Sequence, residues 1–140
     1  MRVRFSLVAT AFAVWLWIVV ACWVFVPSLV LQVWGLPVDD AGTSLGLGVA
    51  GLCLGWAVIL FLARREPPSP ARRAISFGSA AGNVAAVAGG ISSLATGIAG
   101  VWILMPVVIE LLVATAFIIA ERVPLPADAT NATAGAARAR

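Results

Sequence analysis

Four apolar stretches, each long enough to cross a lipid bilayer, divide this chain of 140 residues, and every arginine lies outside them. A helix needs roughly 20 apolar residues to cross a hydrocarbon core of about 30 Å. Inside that core the backbone polar groups must bond within their own segment, so such stretches are helical. The sequence therefore predicts an all-α fold, a four-helix transmembrane bundle with helices at about residues 5–26, 43–63, 74–95 and 101–120.

The positions of the basic residues predict the orientation of these helices. All nine are arginines, and they lie in the N-terminal segment, the second connection and the C-terminal segment. The first and third connections have none, and the first carries Asp39 and Asp40. Because basic residues concentrate on the cytoplasmic side, we expect an up-down-up-down bundle with both termini cytoplasmic. The use of arginine without lysine suggests a bacterium of high GC content, and hence a bacterial inner membrane.

The composition excludes a soluble globular domain and much catalytic chemistry. Hydrophobic residues make up 62% of the chain and charged residues 11%, against roughly 45–50% and about 25% in soluble domains. The chain has no histidine, so it lacks the usual general base and the usual haem and zinc ligand. We expect no enzymatic activity, no metal and no cofactor. The net charge of +3 follows from membrane topology, and we do not expect nucleic-acid binding.

The connection between the first two helices, residues 27–40, is too short to span a membrane and too apolar to lie in water. Trp34 suits the interface, where an indole ring can be buried while its N–H stays hydrated. We expect a short helix at the outer membrane surface, followed by Asp39 or Asp40 as the N-cap of the second long helix. Residues 1–123 then form the transmembrane domain. Residues 124–140 hold almost no large apolar side chains, and we expect them to be disordered.

The first apolar stretch leaves one alternative open. Val19-Val20-Ala21-Cys22 resembles a bacterial lipobox, in which the cysteine becomes a lipidated N-terminus. The stretch continues apolar as far as Val26, however, where a lipoprotein usually turns polar. An uncleaved membrane helix is the favoured interpretation, and processing at Cys22 is the alternative.

Glu110 is the only acidic or basic residue deep within any of the four stretches. A carboxylate at that depth costs at least about 2.5 kcal/mol, so it usually faces the bundle interior and finds a partner. Asn83 on the third helix lies at a similar depth, and Ser79 shares its face at helical spacing. We therefore expect Asn83 to be the partner of Glu110.

The fourth helix adds two residues to this candidate site. Pro106 lacks a backbone N–H, so we expect it to kink the helix one turn from Glu110. Trp102 shares the same predicted helix face. One interpretation is a ligand or proton site formed by Glu110, Asn83, Ser79, Pro106 and Trp102. The other is a structural hydrogen bond between Glu110 and Asn83.

Small residues dominate the third stretch and recur at four-residue spacing in the second. Because small residues allow helix backbones to approach closely, we expect the third helix at the centre of the bundle. The same argument predicts helix-packing positions at Gly42, Gly46, Gly51, Gly55, Gly78, Gly82 and Gly90. Packing within one chain is favoured over dimerisation.

The middle of the chain also contains motifs with a family resemblance. They are Pro27 with Trp34-Gly35-Leu36-Pro37, a glycine-rich second helix, then Leu62-Ala63-Arg64-Arg65 and Pro70-Ala71-Arg72-Arg73. Together they resemble small bacterial four-helix membrane proteins of the DoxX-like kind. The resemblance implies a four-helix bundle and no defined activity. Many relatives have an arginine at the start of the second helix, and residues 43–46 of this chain have none.

Two roles follow from these observations. The first is an accessory or scaffold subunit of a membrane complex, held by a membrane-protein partner or a second copy of the chain. The alternative is a small transporter or binder of a hydrophobic or protonatable molecule that uses Glu110. The lipid bilayer is the partner common to both.

Overall fold

The structure, a computed structural model, describes residues 4–121, so the tail predicted to be disordered lies outside the described residues. The described part is 83% helix and has no strand. Its elements are α1 (Phe5–Phe25), α2 (Pro27–Val33), α3 (Asp40–Ala63), α4 (Pro70–Ala95), a 3₁₀ turn (Val101–Ile103) and α5 (Leu104–Ala120). Four segments, namely α1, α3, α4 and the 3₁₀ turn with α5, are long and apolar enough to cross a membrane. The all-α fold and the prediction of four helical segments long and apolar enough to cross a membrane are therefore confirmed.

Two long helices begin earlier than predicted, and each begins directly after a residue whose side chain caps its N-terminus. Asp39 is the N-cap of α3, and its Oδ1 accepts a hydrogen bond from the Gly42 backbone N–H at 2.6 Å. Ser69 is the N-cap of α4, and its Oγ accepts from the Arg72 backbone N–H at 3.2 Å. Pro70 follows as the first helical residue, where a missing N–H costs nothing. The proline-rich segment that ends α3 thus also starts α4, one turn before the predicted residue 74.

Pro106 lies at the start of an α-helix and not inside a longer one, where a kink was expected. The reason is that the fourth span does not begin as an α-helix. Residues Val101–Ile103 form a 3₁₀ turn, and α5 begins at Leu104. Pro106 therefore lies in the first turn of α5, where backbone N–H groups have no partner within the helix in any case. Trp102 lies in the 3₁₀ turn itself, where the spacing of 3.6 residues per turn that predicted its face does not apply.

The inner positions of the bundle belong to α1 and α5, which contact each other. Helix α1 also packs along α3 and contacts α2. Helix α4 packs chiefly against α5. The prediction that the third span is central is therefore wrong. The buried face of α1 carries large side chains, whereas α4 buries one stripe only, formed by Arg72, Ser76, Ser79, Ala80 and Asn83.

Three phenyl rings form the centre of the core. Phe117 of α5 is fully buried and lies 6.2 Å from Phe5 and 6.0 Å from Phe12, measured between ring centroids. Tilted and edge-on rings at such distances attract each other beyond the effect of their burial. Ala9 and Ala13 of α1 belong to the same core and are fully buried, and their small side chains allow neighbouring helices to approach closely.

The seven glycines expected at helix contacts fall into three groups. A side chain at Gly46 would collide with the Trp23 ring, and one at Gly90 would collide with Val107, so these two glycines allow a close approach of another helix. Gly42 lies against its own cap, and Gly78 has only Trp56 nearby, 3.8 Å from an added Cβ. Three glycines have no atom within 4 Å of an added Cβ, namely Gly51, Gly55 and Gly82.

The segment after α2 is fastened to the segment before the 3₁₀ turn. The Gly100 N–H donates to the Trp34 carbonyl at 2.7 Å. Gly35 has a φ of +70°, and an added Cβ there would lie 2.9 Å from the Gly100 nitrogen. Glycine is therefore required at Gly35 both by its conformation and by the close approach. This contact joins the α1–α3 pair to the α4–α5 pair.

Candidate functional site

The Glu110 side chain is half-buried at the wall between two cavities. The side chains that line both cavities are Phe12 and Leu16 of α1, Cys53 of α3 and Glu110 of α5. These shared side chains come from three helices because α1 lies between α3 and α5. A molecule in either cavity would meet the carboxyl group of Glu110.

The first of these, the α2 cavity, has a volume of about 300 Å³ and lies beneath α2. Most of its wall is apolar, with indole rings at Trp15, Trp23 and Trp34. Pro106 and Glu110 close it from the side of α5. Pockets for small molecules are typically apolar in this way, with a few polar groups that orient the ligand.

The second, the α3–α4 cleft, has a volume of about 530 Å³. Trp56 lines it from α3, Ser79 and Asn83 line it from α4, and Glu110 lines it from α5. Helices α3 and α4 are not among the extensively packed pairs of the bundle. The cleft therefore separates two helices that follow each other in the sequence.

The expected hydrogen bond between Glu110 and Asn83 is replaced by local bonds within α4. Asn83 Nδ2 donates to the Ser79 carbonyl at 2.7 Å, and Ser79 Oγ donates to the Ile75 carbonyl at 2.8 Å. Short polar side chains in helices often bond back to the preceding turn in this way. Within residues 4–121, no hydrogen bond or ion pair involves the Glu110 carboxyl group. The structure therefore brings Glu110, Asn83 and Ser79 to one cleft without joining Glu110 to the other two.

Trp102, the fifth residue of the predicted site, lines neither cavity. Its side chain is 66% exposed on the 3₁₀ turn. The predicted site thus keeps four of its members, since Pro106 lines the α2 cavity and the other three line the cleft.

The chemistry open to this site is hydrogen bonding and proton exchange. Glu110 supplies a carboxyl group, and Asn83 supplies an amide whose oxygen and second N–H take part in no hydrogen bond of the described chain. Over the same residues, 4–121, no group of three or more potential metal-ligating side chains occurs. The site is therefore suited to a molecule that is mostly apolar and carries one polar group.

A second polar cluster, which the sequence did not reveal, joins α4 to the end of α5. Arg72 Nε lies 2.9 Å from Glu121 Oε1, and Arg72 Nη2 donates to Glu121 Oε2 at 3.4 Å. Ser76 Oγ donates to the same Oε1 at 3.0 Å, and Arg73 Nε lies 4.0 Å from Oε2. The Phe5 ring centroid lies 5.0 Å from the Arg72 guanidinium carbon.

From the sequence, Glu121 is only the first residue after the fourth predicted helix. The one available signal was that Arg72 and Ser76 are four residues apart, and therefore on one helix face. That signal was hidden because residues 70–73 were expected to lie in a connection rather than in α4.

No family model matches this chain, and the comparisons with curated proteins and with solved structures found no similar protein. The two cavities, Glu110 and the distribution of charge are therefore the features that bear on function.

Proposed function

We propose that this chain is a multi-pass membrane protein that binds a hydrophobic molecule through the Glu110 carboxyl group, without catalytic activity of its own. The observation that carries the proposal is that Glu110 lines both cavities and, within residues 4–121, has no hydrogen-bonding partner. An ionisable residue inside a membrane protein is expensive and usually functional. A ligand that bonds to the carboxyl group would offset part of that cost.

The walls of the cavities indicate the class of ligand. Apart from Glu110, the α2 cavity is lined by aliphatic and aromatic side chains and two cysteines. A large apolar body would replace lipid or water there at little cost, and a hydroxyl or amine would reach the carboxyl group. We therefore expect a hydrophobic molecule with one hydrogen-bond donor or one protonatable amine. If the protein releases it on the opposite side of the membrane, the same site would serve a small transporter.

The proposed setting is a bacterial inner membrane, with an up-down-up-down bundle and both termini cytoplasmic. The support comes from the residues around one cavity at the end opposite α2. They include Arg4 before α1, Arg64 after α3, Arg72 near the start of α4 and Ala120 at the end of α5. Adjacent spans that alternate in direction would bring these four positions together. The positive-inside rule would then place this end in the cytoplasm and α2 at the outer surface.

The test compares the wild-type protein with Glu110→Gln, which keeps the shape of the side chain but removes its ability to carry a negative charge. Both are purified from native membranes in mild detergent, and the bound small molecules are extracted and identified by mass spectrometry. A hydrogen bond to a charged group contributes about 1.5–3 kcal/mol, so we expect retention of the ligand to fall by about ten-fold or more. Thr115→Ala is the matched control, because Thr115 is on α5, is exposed and bonds to its own helix at 2.8 Å.

A ligand retained equally by wild type, Glu110→Gln and Thr115→Ala would refute the role of Glu110. The same would hold if the wild-type protein retained no small molecule while remaining folded. In either case the role of an accessory subunit would be favoured over that of a ligand-binding protein.

An accessory subunit is the second candidate, and one observation favours it. Gly51 and Gly55 lie one turn apart on α3, both are exposed, and neither has an atom within 4 Å of an added Cβ. Such small-residue faces let a second membrane helix approach closely. A stoichiometric partner that purifies with the wild type but not with Gly51→Ile/Gly55→Ile would support this role. A protein that purifies alone and monomeric would contradict it.

A further inference from the structure

At the end of the bundle opposite α2, four arginines from three separate segments line a cavity of about 730 Å³. We call it the basic cavity, defined by Arg4, Arg64, Arg65 and Arg72. It lies between the start of α1 and the connection from α3 to α4, with Pro67 and Pro68 in its wall. Two prolines restrict the backbone of that connection, so the cavity has a wall of limited flexibility.

Most of the positive charge of this cavity is not neutralised by the protein. Glu121 pairs with Arg72, but Arg4, Arg64 and Arg65 have no carboxylate within 4 Å among the described residues. The single acidic residue in the wall is Glu66, which accepts a hydrogen bond from Ser69. Three unpaired arginines against one glutamate leave a surplus of two positive charges.

The arginines also remain free to bind a ligand. Arg4 and Arg65 are exposed, and their side chains take part in no hydrogen bond among residues 4–121. Arg64 donates from one nitrogen to the Phe61 carbonyl at the end of α3. A guanidinium group has five N–H donors in a planar fork that matches the oxygens of a phosphate group. Most of these donors are available in the basic cavity.

We propose that the basic cavity binds a phosphate-bearing anion, and that this anion is the headgroup of an anionic phospholipid. The lipid is favoured over a free phosphate ion for two reasons. The cavity lies at the ends of the spans, where headgroups lie, and basic pockets between transmembrane helices commonly bind such headgroups. Its wall also includes Phe5 and Ala120, the first and last residues of two spans. An acyl chain would continue along that apolar surface while the headgroup remains on the arginines.

This site is separate from the proposed site at Glu110, because no residue lines both the basic cavity and the α3–α4 cleft. The two proposals can therefore fail independently. Glu110→Gln should leave lipid binding in the basic cavity unchanged, and loss of the basic cavity should leave the retained hydrophobic ligand unchanged.

The experiment measures binding of phosphatidylglycerol, phosphatidylcholine and inorganic phosphate to the full chain by native mass spectrometry in neutral detergent. The decisive variants are Arg65→Gln and the matched control Arg73→Gln. Both remove one partly exposed arginine at the same end of the bundle, but Arg73 does not line the cavity. A basic residue near an anionic lipid surface contributes about 1 kcal/mol, which corresponds to about five-fold in affinity.

The expected result is that phosphatidylglycerol binds more tightly than phosphatidylcholine, and that Arg65→Gln weakens the anionic lipid about five-fold while Arg73→Gln does not. Arg4→Gln/Arg65→Gln should weaken binding of the anionic lipid about twenty-five-fold, because two contributions of about five-fold are lost. Both side chains are exposed, so the double variant should still fold. Equal losses in Arg65→Gln and Arg73→Gln would overturn the proposal in favour of diffuse attraction. Tight binding of inorganic phosphate without binding of the lipid would overturn the assignment to a lipid.

Discussion

Glu121→Leu is expected to destabilise the bundle strongly, because it leaves a buried arginine without its counter-charge. The side chains of Arg72 and Glu121 are only 9% and 3% exposed. Glu121 Oε1 accepts from Arg72 Nε at 2.9 Å and from Ser76 Oγ at 3.0 Å, and Oε2 accepts from Arg72 Nη2 at 3.4 Å. Leucine fills similar space but accepts none of these bonds.

Removing one partner of a buried ion pair typically costs about 3–5 kcal/mol. Replacing both partners by apolar side chains of similar size is often neutral or stabilising. We therefore expect Arg72→Met/Glu121→Leu to recover most of the loss. Arg73→Gln is the control, because Arg73 is 38% exposed and its Nε lies 4.0 Å from Glu121 Oε2, too far for a hydrogen bond. Loss of this long contact from a partly exposed arginine should cost about 0–1 kcal/mol.

The assay is reversible unfolding in mixed detergent micelles with an increasing fraction of a denaturing detergent, followed by tryptophan fluorescence and helical circular dichroism. The reasoning would be refuted if the free energy of unfolding of Glu121→Leu lay within about 1 kcal/mol of the wild-type value. It would also be refuted if the double variant were as unstable as the single variant. In that case lost packing, and not an unpaired charge, would explain the effect.

Further predictions concern helix contacts and capping. Gly46→Ala should lower the free energy of unfolding by about 1–3 kcal/mol, since an added Cβ collides with the Trp23 ring. Gly55→Ala, with open space around the added Cβ, should be neutral or up to about 1 kcal/mol stabilising. Equal effects of the two changes in the same unfolding assay would contradict the close contact between Gly46 and Trp23. Asp39→Ala should cost about 1 kcal/mol through loss of the bond to the Gly42 N–H, whereas an unchanged midpoint would show that the cap is unimportant.

The four spans and the cap of α3 could be predicted from sequence because each depends on neighbouring residues. A stretch of about 20 apolar residues must form a helix in a bilayer regardless of the rest of the chain. Asp39 caps α3 through a bond that spans three residues. The start of α4 at Pro70 lies earlier than the predicted residue 74, although proline is favoured at the first helical position.

The candidate site was predicted in part. Glu110 stood out because charge is costly in a membrane, and the structure places it with Asn83 and Ser79 around one cleft. The sequence could not show whether Asn83 bonds to Glu110, since its amide could bond equally to Glu110 or to the preceding turn, and the structure has the bond to the Ser79 carbonyl. The pairing of Arg72 with Glu121 joins residues 49 positions apart, and no local pattern specifies such a contact.

By itself, the sequence determined that this chain forms four apolar helices joined by short connections, with Glu110 as the one acidic or basic residue deep within them. Only the tertiary structure decided that α1 and α5 take the inner positions, that the Gly46 face meets Trp23 while the Gly55 face stays open, and that Glu110 borders two cavities. The physical reason is that these helices are apolar on nearly every side. Lipid is as apolar as the core, so hydrophobicity does not indicate which face is packed. Shape and a few polar contacts decide the packing instead, and both depend on residues far apart in the chain.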